Sequence, residues 1–223
     1  MYWNSRTQGV FVTTIPTTVD DFVGEYEKSA PADRATEGPL DEVEAGAIKP
    51  AVDLGSLRID PKRGMQLRLE VDKSNNRAVA VTLEYEGSTL QLQPFAAPRS
   101  SGLWHGIRSQ IMDQIIKQGG KATEVEGPFG PEVKASVPVQ AGGSFSTRAV
   151  RFVGIDGPRW FLRAVIGGHA AKDATAAETI HQMIRNVVVV RGSIPMPPRE
   201  LLPLRVPATS DSEQAAPVTD VAL

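Results

Sequence analysis

The chain has 223 residues, of which 41% are hydrophobic and 22% are charged, and this composition is ordinary for a soluble globular protein. It contains no cysteine, which excludes disulfides, thiolate nucleophiles and cysteine-based metal sites. No segment approaches the roughly 20 apolar residues that a membrane span requires, and residues 1–23 lack the basic start and the apolar run of a signal peptide. We therefore expect a cytoplasmic protein that does not enter a membrane.

Charge divides the chain into three parts. Residues 1–53 hold ten acidic and four basic residues, residues 54–192 hold twelve acidic and eighteen basic residues, and residues 193–223 hold four acidic and two basic residues. Because the first part has few large apolar side chains, we predict an acidic, mostly disordered N-terminal arm there. We predict a single α+β core at residues 54–192 and a proline-rich, then disordered tail at residues 193–223. Such asymmetry indicates a tail that shields a basic surface, an anionic partner, or simply solvated polar arms.

The core begins with three predicted strands that form an antiparallel meander. Apolar side chains alternate with polar ones in each strand, which is typical of a strand with one buried face. Asn75 and Asn76 suit the first turn because asparagine tolerates a positive φ, and residues 86–88 form the second turn. The alternating residues are Met65, Leu67, Leu69 and Val71, then Val79, Val81, Leu83 and Tyr85, then Leu90 and Leu92.

A helix is predicted after the meander. Its apolar side chains recur four apart, at Leu103, Ile107, Ile111 and Ile115. Residues 98–102 supply helix breakers, with Ser100 and Ser101 as candidate N-caps, and the glycine pair at residues 119–120 ends the helix.

Four further strands and a second helix complete the predicted core. The strands lie at residues 121–126, 133–139, 148–155 and 160–166. The last of them is apolar on both faces, so we predict that it is central in the sheet and covered on both sides. Thr175 and Glu178 predict a capping box at the start of the second helix, and residues 187–190 predict a short edge strand. Five prolines then block helices and sheet ladders, so we expect the following stretch to lie extended on the core.

The element order β-β-β-α-β-β-β-β-α predicts an α+β fold. We expect an antiparallel sheet of about six to seven strands with two main helices. The order resembles that of PsbP/Mog1-like sandwiches, an analogy of layout that does not determine function.

The sequence contains no catalytic or metal-binding motif that we recognise. His105, His169 and His181 form no pair at ligand spacing, so we predict no metal site and no cofactor. The patterns GxSxG, GxGxxG and the Walker loop are absent. Acidic pairs at residues 84/86 and 124/126 each share a strand face, but solvated strand faces show the same pattern.

Arginines next to aromatic residues or a helix start are the one positive indication of a ligand-binding site. Arg99 precedes a predicted helix N-terminus, where free N–H groups favour an anion. Arg163 interrupts a buried strand, where a guanidinium needs a carboxylate or a bound anion. The candidate ligand-binding residues are Arg99, Ser100, Ser101, Arg159, Trp160 and Arg163, and Arg191 and Arg199 flank the final turn.

The basic residues have two other interpretations. Internal salt bridges and stacking on Trp104 or Trp160 explain such arginines without any ligand. The basic residues are dispersed and no nucleic-acid-binding signature is present, which argues against a nucleic acid partner.

Several strings are distinctive in combination: LQPFAAPRS at 92–100, GLW at 102–104, GPFG at 127–130, DGPRWFLR at 156–163 and VVRGSIPMPPR at 189–199. Over about residues 50–207 the chain resembles an actinobacterial family of conserved proteins of unknown function. The resemblance implies a small cytosolic bacterial protein and brings no assigned catalytic residues.

Two hypotheses of function follow. The first is a non-enzymatic binding or adaptor module whose partner is another protein. The alternative is an enzyme or sensor that binds a small phosphate- or carboxylate-bearing ligand through Arg99, Arg159 and Arg163.

Overall fold

The computed structural model describes residues 26–46, 52–141 and 144–206. The strands in chain order are β1 (Leu40–Asp41), β2 (Val52–Asp53), β3 (Leu57–Ile59), β4 (Gln66–Asp72), β5 (Arg77–Tyr85), β6 (Ser88–Ala96), β7 (Lys121–Gly127), β8 (Gly130–Ala141), β9 (Ser144–Asp156), β10 (Trp160–Gly168) and β11 (Val188–Val189). The helices are α1 (Arg34–Glu37), α2 (Trp104–Lys117) and α3 (Ala174–Arg185), and a 3₁₀ turn occupies His169–Ala171.

The larger sheet has seven antiparallel strands in the order β4-β5-β6-β10-β9-β8-β7. This arrangement confirms the predicted α+β fold, including the number of strands and the two main helices. Strand β10 is the middle strand, and Trp160 on one face and Phe161 on the other are both fully buried. The prediction that this strand is central and covered on both sides is therefore confirmed.

The two faces of the large sheet are covered by different elements. Helix α2 packs on β7, β8 and β9, with Trp104, Ile107 and Ile111 in its apolar contact. On the opposite face Ile180 and Ile184 of α3 join one core cluster with Leu57 of β3. Burial of these apolar stripes is the main force that holds helices on a sheet.

A second, smaller sheet has the order β1-β11-β3-β2, with β1 parallel to β11. The prediction of an edge strand at residues 187–190 was wrong, because β11 is an interior strand of this sheet. Its neighbours β1 and β3 contain two and three residues, which is too short to show an alternating pattern.

Residues 26–46, which the sequence analysis placed in the acidic arm, contact the core. Tyr26 forms an antiparallel β-bridge with Gly102, and the Ser29 N–H donates to Asp156 Oδ2 at 3.0 Å. Leu40 pairs with Val188 in the smaller sheet. The predicted domain boundaries stay a prediction, and the disorder expected for residues 1–25, 47–51 and 207–223 lies outside the described residues.

The proline-rich stretch lies extended on the core, as predicted. The Leu202 N–H donates to the Pro94 carbonyl at 2.9 Å, and the Arg205 N–H donates to the Leu54 carbonyl at 2.8 Å. Leu202 is fully buried, so this stretch contributes to the core.

The start of α3 differs from the predicted capping box. Asp173 is the N-cap, and its Oδ1 accepts the Ala176 N–H at 2.7 Å. Glu178 instead accepts a hydrogen bond from Gln182 Nε2. The correct cap lies two residues earlier than Thr175, and aspartate is an equally good N-cap residue.

In the described part of the chain, no helix has the length and apolarity needed to cross a membrane.

Candidate functional site

The candidate site is an open cleft of about 800 Å³ at the junction of the two sheets. We call it the arginine cleft, and it is lined by Asp41, Glu42, Val43, Arg99, Pro158, Arg159, Arg191, Gly192 and Ser193. Residues from the small sheet form one part of the lining, and the ends of the large-sheet strands β6 and β10 form the other.

Strand pairing explains why these distant residues meet. Because β1 and β11 are parallel, the residues that follow them emerge side by side. In the large sheet Trp160 pairs with Ala96, so Arg99 and Arg159 lie at the same end of β6 and β10. The Ala97 N–H donates to the Arg159 carbonyl at 3.0 Å and holds these two segments together.

Two of the cleft arginines are held by main-chain carbonyls. Arg159 Nη2 donates to the Gly192 carbonyl at 3.2 Å, and Arg191 Nη1 donates to the Ile194 carbonyl at 2.9 Å. Gly192 has a φ of 68°, a left-handed conformation that favours glycine at this turn.

The charge of the arginines is not neutralised by internal ion pairs. Among the residues that the structure describes, no carboxylate lies within salt-bridge distance of Arg99, Arg159 or Arg191. Arg191 Nε is buried and has no hydrogen-bond partner in the described part of the chain. Burial, and then the positive charge of Arg159, lower the pKa of Arg191. An anion between these two guanidiniums would relieve both effects.

The two carboxylates of the cleft already have partners. Asp41 Oδ2 accepts the indole N–H of Trp160 at 2.9 Å, and Asp41 Oδ1 accepts the Val43 N–H at 3.0 Å. Glu42 Oε1 accepts a hydrogen bond from Arg58 Nη2 at 3.0 Å. The cleft lining therefore holds three arginines and two carboxylates, and the partners of these carboxylates lie outside the arginine set.

Trp160 lies beneath the cleft and does not line it. Its ring is fully buried, and the guanidinium carbon of Arg34 lies 5.6 Å from the ring centroid. Its contribution to the site is therefore indirect: it positions Asp41 through the indole hydrogen bond.

Arg163 lies away from the cleft, in the middle of the large sheet. Its guanidinium donates from Nε to Gln93 Oε1 at 3.0 Å and lies 5.8 Å from the Phe95 ring centroid. Burial lowers the pKa of Arg163 to about 10. Of the three arginines predicted to share one site, the cleft therefore contains Arg99 and Arg159 but not Arg163.

Ser100 and Ser101 neither line the cleft nor cap α2, so their prediction as N-caps was wrong. The cap is supplied from strand β9, because Asp156 accepts the Leu103 N–H at Oδ1 (2.8 Å) and the Trp104 N–H at Oδ2 (3.3 Å). Burial raises the pKa of Asp156, and the backbone hydrogen bonds oppose that shift. Two N–H groups at the start of the helix next to Arg99, where an anion was expected, are therefore already occupied by Asp156.

Residues 38–213 match the model of a protein family described as a protein of unknown function, DUF3710. The chain belongs to the DUF3710 family. The matched range contains the whole lining of the arginine cleft, including the Asp41–Val43 wall that the sequence analysis had placed in the arm. No curated protein matches the chain.

Other DUF3710 residues considered for chemistry have structural contacts in this chain. Glu124 pairs with Arg108 at 2.7 Å, and Glu84 pairs with Arg68 at 3.4 Å. Within the described ranges, no group of three or more histidines and carboxylates is arranged to hold a metal ion.

Arg191 was noted from the sequence but not grouped with Arg99 and Arg159, and Asp41, Glu42 and Val43 were not predicted as part of a site. The run of β-branched residues before Arg191 was the one available signal, because it predicted a strand that ends at this arginine.

Proposed function

We propose that this protein is a non-enzymatic binding module that holds a phosphate- or carboxylate-bearing group in the arginine cleft. One observation carries the proposal: Arg159 and Arg191 line the same cleft, and neither is paired with a carboxylate of the described chain. Guanidinium groups bind carboxylates and phosphates through paired hydrogen bonds, and two of them next to each other favour an anion between them.

The lining of the cleft supports binding over catalysis. No histidine is among its described residues, and Asp41 and Glu42 are engaged by Trp160 and Arg58. Ser193 is the one hydroxyl of the lining, and a serine needs an adjacent base to act as a nucleophile. The sequence resemblance adds an actinobacterial cytoplasm as the proposed setting.

The test is titration of the full chain with inorganic pyrophosphate, followed by calorimetry and by thermal unfolding. Saturation at 100 times the Kd should stabilise the fold by about 2.7 kcal/mol. We expect the variant Arg159→Ala/Arg191→Ala to lose binding at least tenfold. Arg77→Ala removes an exposed arginine outside the cleft and should bind as the wild type does. Equal binding by the double variant would refute the proposal.

A second measurement separates the two sources of the anionic group. Full-length wild type and the double variant serve as baits in a bacterial extract. A protein retained by the wild type and lost from the double variant supports a protein partner. Pyrophosphate binding without such a protein supports the small-ligand alternative, in which Arg191 takes the place first predicted for Arg163.

A further inference from the structure

Two aliphatic side chains at the arginine cleft are unusually exposed. Val43 lines the cleft and is 86% exposed, and Ile194 follows the lining residue Ser193 and is 73% exposed. The Ile194 carbonyl accepts the hydrogen bond from Arg191 Nη1, so the main chain at this residue lies beside the guanidinium. Exposed aliphatic groups beside arginines that lack a carboxylate partner in the described chain are compatible with a recognition surface.

A small inorganic anion does not account for this surface. Such an ion would contact the guanidiniums of Arg159 and Arg191 and leave Val43 and Ile194 in water. The cleft volume of about 800 Å³ also exceeds what one phosphate fills, and the cleft opens along the surface. An extended peptide would meet the arginines and cover the aliphatic side chains at the same time.

Charge selects the kind of peptide. The arginines have no carboxylate partner in the described chain, while the cleft acids are bound by Trp160 and Arg58. The three arginines outnumber the two carboxylates of the lining, so a basic segment would be repelled and an acidic one would be attracted.

On the basis of the proposed function, we infer that the occupant of the cleft is an acidic segment of a partner protein. The segment carries an aliphatic or aromatic side chain close to its carboxylates. Its carboxylates bind Arg99, Arg159 and Arg191, and its apolar side chain packs on Val43 and the Ile194 region.

The experiment is selection of a phage-displayed random peptide library on the immobilised full chain, with removal of phage that bind Arg159→Ala/Arg191→Ala. Enriched peptides are labelled with fluorescein and titrated by anisotropy. We expect enriched sequences to combine Asp or Glu with a nearby Val, Ile, Leu or Phe. Replacement of their acids by Asn and Gln should weaken binding at least tenfold.

A chain variant tests the apolar half of the inference. Val43→Ser/Ile194→Ser should weaken the enriched peptide at least fivefold, and its effect on pyrophosphate should be clearly smaller. Ile116→Ser removes an exposed aliphatic side chain of α2 outside the cleft and is the matched control, with unchanged peptide affinity.

The other outcomes refute either the peptide partner alone or the anion site as well. Pyrophosphate binding without enriched acidic peptides refutes the peptide partner and leaves the anion site intact, whereas failure of both probes refutes both. Enriched peptides without acids, or equal losses in the Val43 variant and its control, also refute the inference. Enriched sequences that match residues 20–25 or 211–220 would assign the cleft to an acidic segment of this chain instead of a partner.

Discussion

His181 is a titratable residue of helix α3, and its side chain is buried. Its ring meets the Phe129 ring edge-on at 5.8 Å, and its Nε2 has no hydrogen-bond partner among the described residues. Burial is the largest cause that lowers the pKa of His181 to about 4. The positive charge of Arg151 adds to this shift, Glu178 opposes it, and Arg185 makes a smaller contribution in the same direction.

This histidine should make stability depend on pH. Its ordinary pKa is 6.5, so between pH 6.5 and 4 the unfolded chain binds a proton that the folded chain does not. Stability must therefore fall as the pH falls through this window, by about 2–3 kcal/mol between pH 7 and 4.5. Urea unfolding at both pH values measures the effect, which His181→Gln should remove.

The comparison between wild type and variant is needed because other groups act in the same range. Burial raises the pKa of Glu132 despite its ion pair with Arg151, so its contribution to stability has the opposite sign. It is lost as the pH rises through the folded pKa of the glutamate. His105→Gln, at an exposed position of α2, serves as the control. A pH dependence in His181→Gln equal to that of the wild type would contradict the assignment.

Single residues were the hardest part to predict from the sequence. Asp156 caps α2 although it lies 53 residues after Leu103 in the sequence. No local pattern could therefore reveal it. Arg163 was expected to need a carboxylate or a bound anion, whereas the side chain that accepts from its Nε is the amide of Gln93 on a neighbouring strand. Such contacts depend on strand register, which the sequence does not display.

At the scale of elements, the contact of α2 with the large sheet depends on a glycine. A Cβ at Gly154 of β9 would lie 2.2 Å from ring atoms Cδ2 and Cε3 of Trp104. The indole is fully buried and its N–H donates to the Pro131 carbonyl, so the ring has little freedom to move. Glycine here allows the helix to approach the strand.

Gly154→Ala should therefore destabilise the protein by about 3 kcal/mol, near the upper end for overpacking. Gly106→Ala is the matched substitution on α2, where the nearest atom to the new Cβ is 4.0 Å away. It should stabilise the fold by up to about 1 kcal/mol, because alanine favours the helix. Denaturant midpoints of the two variants measure both values, and a stable Gly154→Ala would show that the helix can shift away.

Elements were predictable where their pattern was long. The alternations in β4 to β6 and the spacing of apolar residues in α2 located those elements to within a few residues. Strands β1 and β2 contain two residues each and owe their formation to neighbours that are distant in sequence. For the same reason the two cleft residues that were grouped from the sequence, Arg99 and Arg159, are those next to the long strands β6 and β10.

For the whole molecule, the proline-rich stretch is part of the fold and not only an appendage. It runs along β6 and reaches Leu54, and Leu202 joins the core cluster that lies under α3. Prolines suit this role because they hold an extended backbone at little entropic cost.

Leu202→Ala should cost about 2–5 kcal/mol of unfolding free energy, the usual range for a fully buried leucine. Val206→Ser changes a neighbouring residue that is 77% exposed and should stay within about 0.5 kcal/mol of the wild type. Chemical denaturation of both variants provides the comparison. Equal, small losses would mean that the stretch detaches without disturbing the core.

The arginine cleft has walls from two sheets, joined there by the hydrogen bonds from Trp160 to Asp41 and from Arg159 to Gly192. Neither wall exists as a site by itself, so the cleft is lost as soon as one sheet separates from the other. A bound partner would contact both walls, hold the two sheets together and so protect the chain from proteases. The lifetime of the protein in a cell would then follow the supply of whatever occupies the cleft.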